Sequence, residues 1–285
     1  MSDTLLSAER LIRVSDPKAA LVSLTAAVKA APAKPQLRVF MAQLLCVLGQ
    51  WERAHTQLNV VADLDASTGP MREMVGHALR CELLRAAVFA GRRSPMVFGQ
   101  PDEWLATLIE SLLQSGQGDA EISAQLADRA FEAAPATQGR INGQPFEWIG
   151  DADSRLGPVL EAMVNGKYYW IPFHRLSSVV IEESKDLRDR AWLPANISFA
   201  NGGEAIAMIP TRYSGSESSE DGQILMAAKT EWVNMGFGRF AGLGQRVLVT
   251  DQGEHDLLSV RRIEMDVPST SAEFAESVKS AKSVG

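Results

Sequence analysis

The residues most able to hold a metal are four histidines and two cysteines, and their placement speaks against one. His55, His77, His174 and His255 lie far apart, and no CxxC, HxH or HExxH occurs, the spacings that put several ligands around one ion. His77 and Cys81 stand one helical turn apart. A tetrahedral site needs two more ligands that the neighbouring residues lack, so the pair reads as one face of a buried helix. No metal and no other cofactor is expected.

Nucleophilic and phosphate-binding chemistry find no better footing. Ser214-Gly215-Ser216 lacks the GxSxG frame that exposes a serine between strand and helix. The run GFGRFAGLG (236–244) has the glycines of a phosphate cradle, but such a cradle follows a strand and opens a helix. Here the expected order is helix, glycines, strand, which makes the run a connection. Glu182, Glu183, Asp186 and Asp189 are carboxylates in number, but acid–base work needs two of them in different environments. In KDLRDR the acids interleave with Arg188 and Arg190, so a solvated, ion-paired face accounts for them. Arg212 and Tyr213, which leave an apolar strand for a Ser/Gly loop, combine broad contact area with a polar end, as interface anchors do. A rival enzymatic reading would need Arg212, Glu204 and Glu217 to converge in a polar pocket. The expectation is a protein that is not an enzyme.

The elements that position these residues follow two different periods. Residues 16–32 and 50–66 align with a constant offset of 34, pairing Ala20 with Ala54, Leu24 with Leu58 and Ala27 with Val61. That is the tetratricopeptide period, with small residues where two helices approach closely. Met74, Ala78, Cys81, Leu84 and Val88, and then Trp104, Leu105, Leu108, Ile109 and Leu112, continue the helical spacing. Breakers at Pro32, Gly49, Gly69-Pro70, Gly91 and Gly116–Gly118 divide about seven helices before Pro135. After GRINGQP (139–145) the period shortens. VLEAMV (159–164), YYWIPF (168–173), SVVIE (178–182), AWLPANISFA (191–200), AIAMIP (205–210), QRVLVT (245–250) and LLSVRRIEM (257–265) read as strands, with Asn165-Gly166 as a hairpin turn. A helix is expected over 219–234.

The fold class is therefore α+β and multidomain, an N-terminal tetratricopeptide-like α-solenoid followed by a β-rich α+β domain. The expected divisions are residues 1–138, a linker at 139–145, the β-rich domain at 146–267, and a disordered tail at 268–285. The chain has 285 residues and a net charge of −7. Neither nucleic acid nor an anionic membrane suits that balance. Two cysteines in apolar segments indicate a reducing, cytoplasmic setting, and no segment is apolar enough to span a bilayer.

The runs LGPVLEAMVNGKYYWIPF (156–173), DLRDRAWLPA (186–195), NGGE (201–204), IPTRYSGSE (209–217), TEW (230–232) and GLGQR (242–246) together resemble the ImpE family, also called TagJ. One departure is Ser214, where the family carries a Pro-Gly pair after the TRY triplet. The resemblance implies a cytoplasmic accessory protein of a bacterial type VI secretion system, which binds the N-terminal helix of the small subunit of the contractile sheath. It also implies an indirect connection to the AAA+ ATPase that recycles the sheath. Trp170, Phe173, Arg212 and Tyr213 are the partner-binding candidates, because the β-rich domain concentrates the aromatic residues and the family runs.

Overall fold

The structure, a computed structural model, describes residues 3–266. The expected tail at 268–285 lies outside the described residues. Seven α-helices come first, interrupted by one short strand: α1 (Asp3–Arg13), α2 (Pro17–Ala30), α3 (Pro35–Val47), α4 (Trp51–Leu64), α5 (Gly69–Phe89), β1 (Met96–Val97), α6 (Glu103–Gln117) and α7 (Ala120–Ala133). Their ends follow local chemistry. Asp16 accepts from the Ala19 amide at 3.0 Å ahead of Pro17, an N-cap followed by a proline at the first helical position. Gly118 closes α6 in the left-handed conformation.

α1 with α2, α3 with α4, and α6 with α7 form antiparallel hairpins. All six residues of the 34-residue register are buried, Ala20, Leu24, Ala54 and Val61 completely. The small side chains at these positions let α1–α2 and α3–α4 close up, which is the packing that a tetratricopeptide repeat requires.

The second half contributes β2 (Gly139–Ile141), β3 (Gln144–Phe146), β4 (Ile149–Asp151), β5 (Val159–Val164), β6 (Lys167–Pro172), β7 (Leu176–Ile181), β8 (Trp192–Phe199), β9 (Glu204–Pro210), α8 (Gly222–Leu225), β10 (Thr230–Gly236), β11 (Arg239–Gly244), β12 (Val247–Thr250), β13 (Gly253–Asp256) and β14 (Arg262–Met265). Nine strands form one sheet in the order β1-β6-β5-β9-β8-β7-β14-β2-β3. Every pairing in it is antiparallel except β1 with β6. β13-β12-β4 and β10-β11 form smaller sheets. Asn165 and Gly166 both take positive φ between β5 and β6, the two-residue hairpin geometry expected of Asn-Gly.

Two expectations are corrected. Residues 139–145 are not a linker. They form β2, the turn at Asn142-Gly143 and β3, and β2 pairs with β14. Their glycine and polar content serves a tight turn on an exposed edge, which by composition alone looks like a connection. Residues 219–234 are not one helix either. Only Gly222–Leu225 is helical, and Thr230–Gly236 is a strand. β10 has exposed Trp232 and Val233, so it lacks the buried stripe that would distinguish the two periods.

The core crosses the midpoint of the chain. Alternation along β5 and β6 sends Val159, Met163, Tyr168 and Trp170 to the helices, where they join Leu44, Leu45, Leu105 and Leu108 in one cluster. Leu160, Ala162, Val164 and Ile171 face the other way, into a second cluster with Val179, Ile197, Leu248 and Ile263. β5 is buried along its whole length, a strand covered on both faces.

Candidate functional site

The four sequence candidates are all buried in the protein interior, with Trp170 in the cluster facing the helices and Phe173 in the second cluster. Trp170 and Phe173 are fully buried, Tyr213 is 1% exposed and Arg212 5%. Trp170 donates through Nε1 to the Tyr168 hydroxyl at 2.7 Å and its ring packs near Phe89 of α5. Phe173 belongs to the second cluster. Arg212 donates through Nη1 to the carbonyls of Val47 (2.7 Å) and Leu225, so it staples the end of α3 to the sheet half. The Tyr213 hydroxyl accepts from the Val247 amide at 3.0 Å and donates to the Val247 carbonyl at 3.2 Å. A side chain with both ends of its hydrogen bonding satisfied internally is glue rather than an exposed anchor. As exposed anchors, the four are thus corrected.

Around them runs a joint of buried charges. Arg85 of α5 grips Glu161 of β5 through Nε (2.7 Å) and Nη2 (3.0 Å), and the same Nη2 reaches the Arg212 carbonyl at 2.8 Å. Arg246 grips Asp151 at 2.6 and 2.9 Å and stands 3.4 Å from Glu161. Glu82 accepts from Trp192 Nε1 at 2.7 Å and lies 3.5 Å from Arg85. Two guanidinium groups, of Arg85 and Arg246, therefore face three carboxylates, of Glu82, Asp151 and Glu161, while Arg212 is held by backbone carbonyls. Burial alone would raise Glu161, but Arg85 and Arg246 outweigh it and hold the carboxyl at about 2. Burial wins at Asp151, pushing it up to about 6 against the pull of Arg246, and it raises Glu82 against Arg85. Arg212 is pulled down to about 10 by burial.

The runs quoted from the sequence build this joint. Glu161, Tyr168 and Trp170 come from the first, Trp192 from the second, Arg212 and Tyr213 from the fourth, and Arg246 from the last. TEW and GLGQR meet at Tyr213: Trp232 packs against its ring at a tilt, with centroids 5.7 Å apart, and a Cβ on Gly242 would stand 2.2 Å from that ring. Asp189 is a buried cap rather than a solvated charge, taking the amides of Lys185 and Asp186 at 2.8 Å each. The rival catalytic trio does not assemble, because Glu204 and Arg212 flank opposite ends of β9. Glu204 is exposed, and Glu217 accepts from the Gly215 amide.

The open surface lies at the other end of α5. A groove of about 310 Å³ runs between α5 and the strands β5, β8 and β9, lined by Pro70, Met74, His77, Met163, Pro194, Ile206 and Met208, with Glu73 at its rim. Ile206 is 76% exposed. Across the Asn165-Gly166 turn a second cleft of about 560 Å³ is walled by Phe98, Tyr169 and Phe199, with His174, Arg175 and Glu204 at its edge. Its rings pack at a tilt, with centroids 4.2 Å (Phe98 with Tyr169) and 4.8 Å (Phe98 with Phe199) apart. Arg175 and His174 reach Asp102 at 3.0 and 3.2 Å, tying the strap between β1 and α6 to the sheet. The sequence carries no motif that joins Met74, Met163, Ile206 and Met208 in a groove, because a methionine in a helical stripe or a core-like strand has none. Ile206, an apolar residue between Ala205 and Ala207 on a strand whose alternation should send one of the faces outward, was the available sign.

The sequence profile of the ImpE protein family matches residues 143–264. That of the tetratricopeptide repeat matches residues 11–72. A Pseudomonas aeruginosa protein described as type VI secretion system accessory component TagJ is 45% identical over 259 residues, 91% of each chain. The chain belongs to the ImpE family. In fold, this ImpE protein is similar to a crystal structure of a Vibrio parahaemolyticus protein, with a TM-score of 0.84, 22% identity, and coverage of 93% of this chain and 99% of the other. The family match begins inside the β2–β3 hairpin and ends in β14, so it takes in the sheet half of the ionic joint. Arg85 and Glu82 come from the helical half. Among the described residues of this ImpE protein no helix is long and apolar enough to cross a membrane.

Proposed function

We propose that this chain serves type VI secretion as a non-enzymatic cytoplasmic adaptor. In this reading it takes an amphipathic helix, presented by the N-terminus of the small sheath subunit, in the groove between α5 and the sheet. Capture of that helix connects the protein to sheath assembly, or to recycling of the sheath by its AAA+ ATPase. The observation that carries the reading is the groove itself, in which exposed Ile206 and half-buried Met74 stand over a floor of buried Met163 and Met208. Unbranched thioether side chains adapt to the apolar stripe of a helix, and a helix laid in a groove is a recurrent way to bind a short segment. Kinship with the TagJ protein and the tetratricopeptide repeats support the same class of role. Trp170, Phe173, Arg212 and Tyr213 serve it indirectly, by holding the frame on which the groove is built.

The test is titration of a synthetic peptide of that sheath helix into the full chain and into its Ile206→Asp and Met74→Asp variants, with folding checked by circular dichroism. Saturable binding that both variants weaken is the expected result. No binding to the full chain overturns the helix-adaptor reading, and undiminished binding to both variants moves the site elsewhere.

A further inference from the structure

The hairpin of β10 and β11 forms a sheet of its own, and its exposed apolar side chains are crowded. Trp232, Val233, Phe237 and Phe240 fall within nine residues and are 39–63% exposed. Apolar groups concentrated in this way on a surface mark a place of contact.

The two edges of the hairpin differ. Along the outer side of β11 the backbone is satisfied. The amides of Phe240, Gly242 and Gly244 donate to Ser154 Oγ (3.1 Å), Asp153 Oδ2 (2.9 Å) and Ser216 Oγ (2.8 Å). The carbonyls of Phe240 and Gly244 accept from the amides of Ser154 and Tyr213. In an antiparallel ladder, two residues opposite each other turn their N–H and C=O groups either both toward the ladder or both away from it. The register sets Phe240 against Asn234, Gly242 against Trp232 and Gly244 against Thr230. Thr230, Trp232 and Asn234 therefore direct their N–H and C=O groups to the outer edge of β10, with which no strand pairs among the described residues. Such an edge is normally blunted by a proline, a lysine or an inward-pointing charge. β10 has no proline, and its one charge, Glu231, is held by Lys229 at 2.5 Å.

The spacing of the outward residues says what fits. They are symmetric about Trp232. A second β10 laid antiparallel with that centre sets Trp232 opposite Trp232 and Thr230 opposite Asn234, so that every outward N–H meets a C=O. A centre at Thr230 or Asn234 would leave an outward residue beyond the end of the partner strand. With Trp232 at the centre, Glu231 lies opposite Val233 rather than another carboxylate, and the Trp232 and Phe240 rings of both copies gather on one face. The patch is thus complementary to itself, as a two-fold contact requires.

We propose that β10 pairs with β10 of a second copy of this chain, antiparallel about Trp232, joining the two hairpins in one four-stranded sheet. The contact uses no residue that lines the groove between α5 and the main sheet, and it stands or falls independently of the helix-adaptor reading.

Sedimentation equilibrium of the full chain over a range of concentrations at low salt tests it. The expected species is a reversible dimer, twice the 30.9 kDa of the chain. Val233→Glu sets carboxylates opposite each other and should weaken association about tenfold, whereas Val233→Lys sets an ammonium opposite Glu231 and should leave it as strong or stronger. Val233 is exposed, so neither variant buries a charge, and circular dichroism checks that both are folded. The amides of Trp232 and Asn234 should also exchange more slowly as protein concentration rises. A chain that stays monomeric up to about 1 mM overturns the proposal and leaves the edge to a strand of a different protein. A dimer that the two variants affect equally overturns it too, because the contact then lies elsewhere or in another register. So does exchange at those two amides that ignores concentration.

Discussion

The ionic joint and the methionine groove are made by the same two elements, α5 and β5, and differ in almost every physical respect. On β5, Glu161 enters the joint and Met163, two residues on and therefore on the same face, lines the groove. On α5, Met74 and His77 serve the groove while Glu82 and Arg85 serve the joint, which puts the centres of the two regions about 12 Å apart along the helix. The joint is closed. Arg85, Glu161, Asp151 and Arg246 all find partners inside the protein, and none of their atoms is among the buried polar atoms left without a hydrogen bond in the described residues. The groove is open and almost free of charge, with Glu73 at its rim. Arginines, tyrosines and tryptophans in ordered runs draw the eye in a sequence, but here their strong chemistry is spent between the two halves. The surface suited to a partner is made of residues with no motif at all.

The comparison breaks most visibly at the joint. Arg85→Leu leaves Glu161 and Glu82 buried without their principal partner and is expected to cost about 3–5 kcal/mol in urea unfolding. Adding Glu161→Leu should recover part of that loss, since replacing both members of a buried pair by apolar side chains is far milder than removing one. Trp170→Ala should cost a similar 3–5 kcal/mol or so through the cavity it opens. Loss of helix binding by a Trp170→Ala protein that keeps full stability would restore Trp170 as a contact residue.

Acid sharpens the same contrast. Glu161, held at about 2 against an ordinary 4.5, contributes stability that is complete above 4.5 and is lost as the pH falls toward 2, about 3 kcal/mol in all. Asp151, raised from 3.8 to about 6, has the opposite sign: its contribution is complete below 3.8 and is lost as the pH rises through 6. Urea midpoints measured between about pH 7 and 2 should therefore show Glu161→Gln losing the acid-side decline and Asp151→Asn losing the gain between 6 and 4. Parallel pH profiles in wild type and both variants would mean that these carboxylates are not coupled to folding. Mutations in the groove are expected to leave the profile untouched.

In the helical half the expected effect is smaller. Ala54→Leu should overpack the α3–α4 contact and cost about 1–3 kcal/mol, and unchanged thermal stability would contradict the repeat register. Protease should also spare 139–145, now paired in the sheet, and cuts there that release a folded helical fragment would restore the linker.

What could be read from the sequence divides along physical lines. The repeat was legible because Ala20, Leu24, Ala54 and Leu58 must be small or apolar at a fixed period for helices to close up. β5 and the Asn165-Gly166 turn were legible because turn chemistry is local. Residues 219–234 were not, because an exposed hairpin has no buried face to set its period. Arg212 and Tyr213 stood out as interface anchors and lie inside instead: whether an arginine meets a partner or the Val47 carbonyl depends on how two distant halves dock. The groove was hidden for the same reason, as Met74 and Met208 become neighbours only through that docking.

The last test isolates the groove from everything that holds the molecule together. Ile206 is three-quarters exposed and stands on β9, opposite Asn196 of β8. A carboxylate there stays in water, with no buried charge and no cavity, so Ile206→Asp should shift unfolding by no more than about 0.5 kcal/mol. A helix laid in the groove would instead have to cover that carboxylate with its apolar stripe. Desolvating the charge should weaken peptide affinity about tenfold, or about 1.4 kcal/mol. Glu161→Gln, sampled in the same titration, should bind the peptide at wild-type strength wherever it is folded, because its charge lies below the surface and contributes to the frame alone. If instead Glu161→Gln loses affinity while folded and Ile206→Asp does not, the roles of the two regions are reversed, and the joint is the part of the molecule that a partner opens.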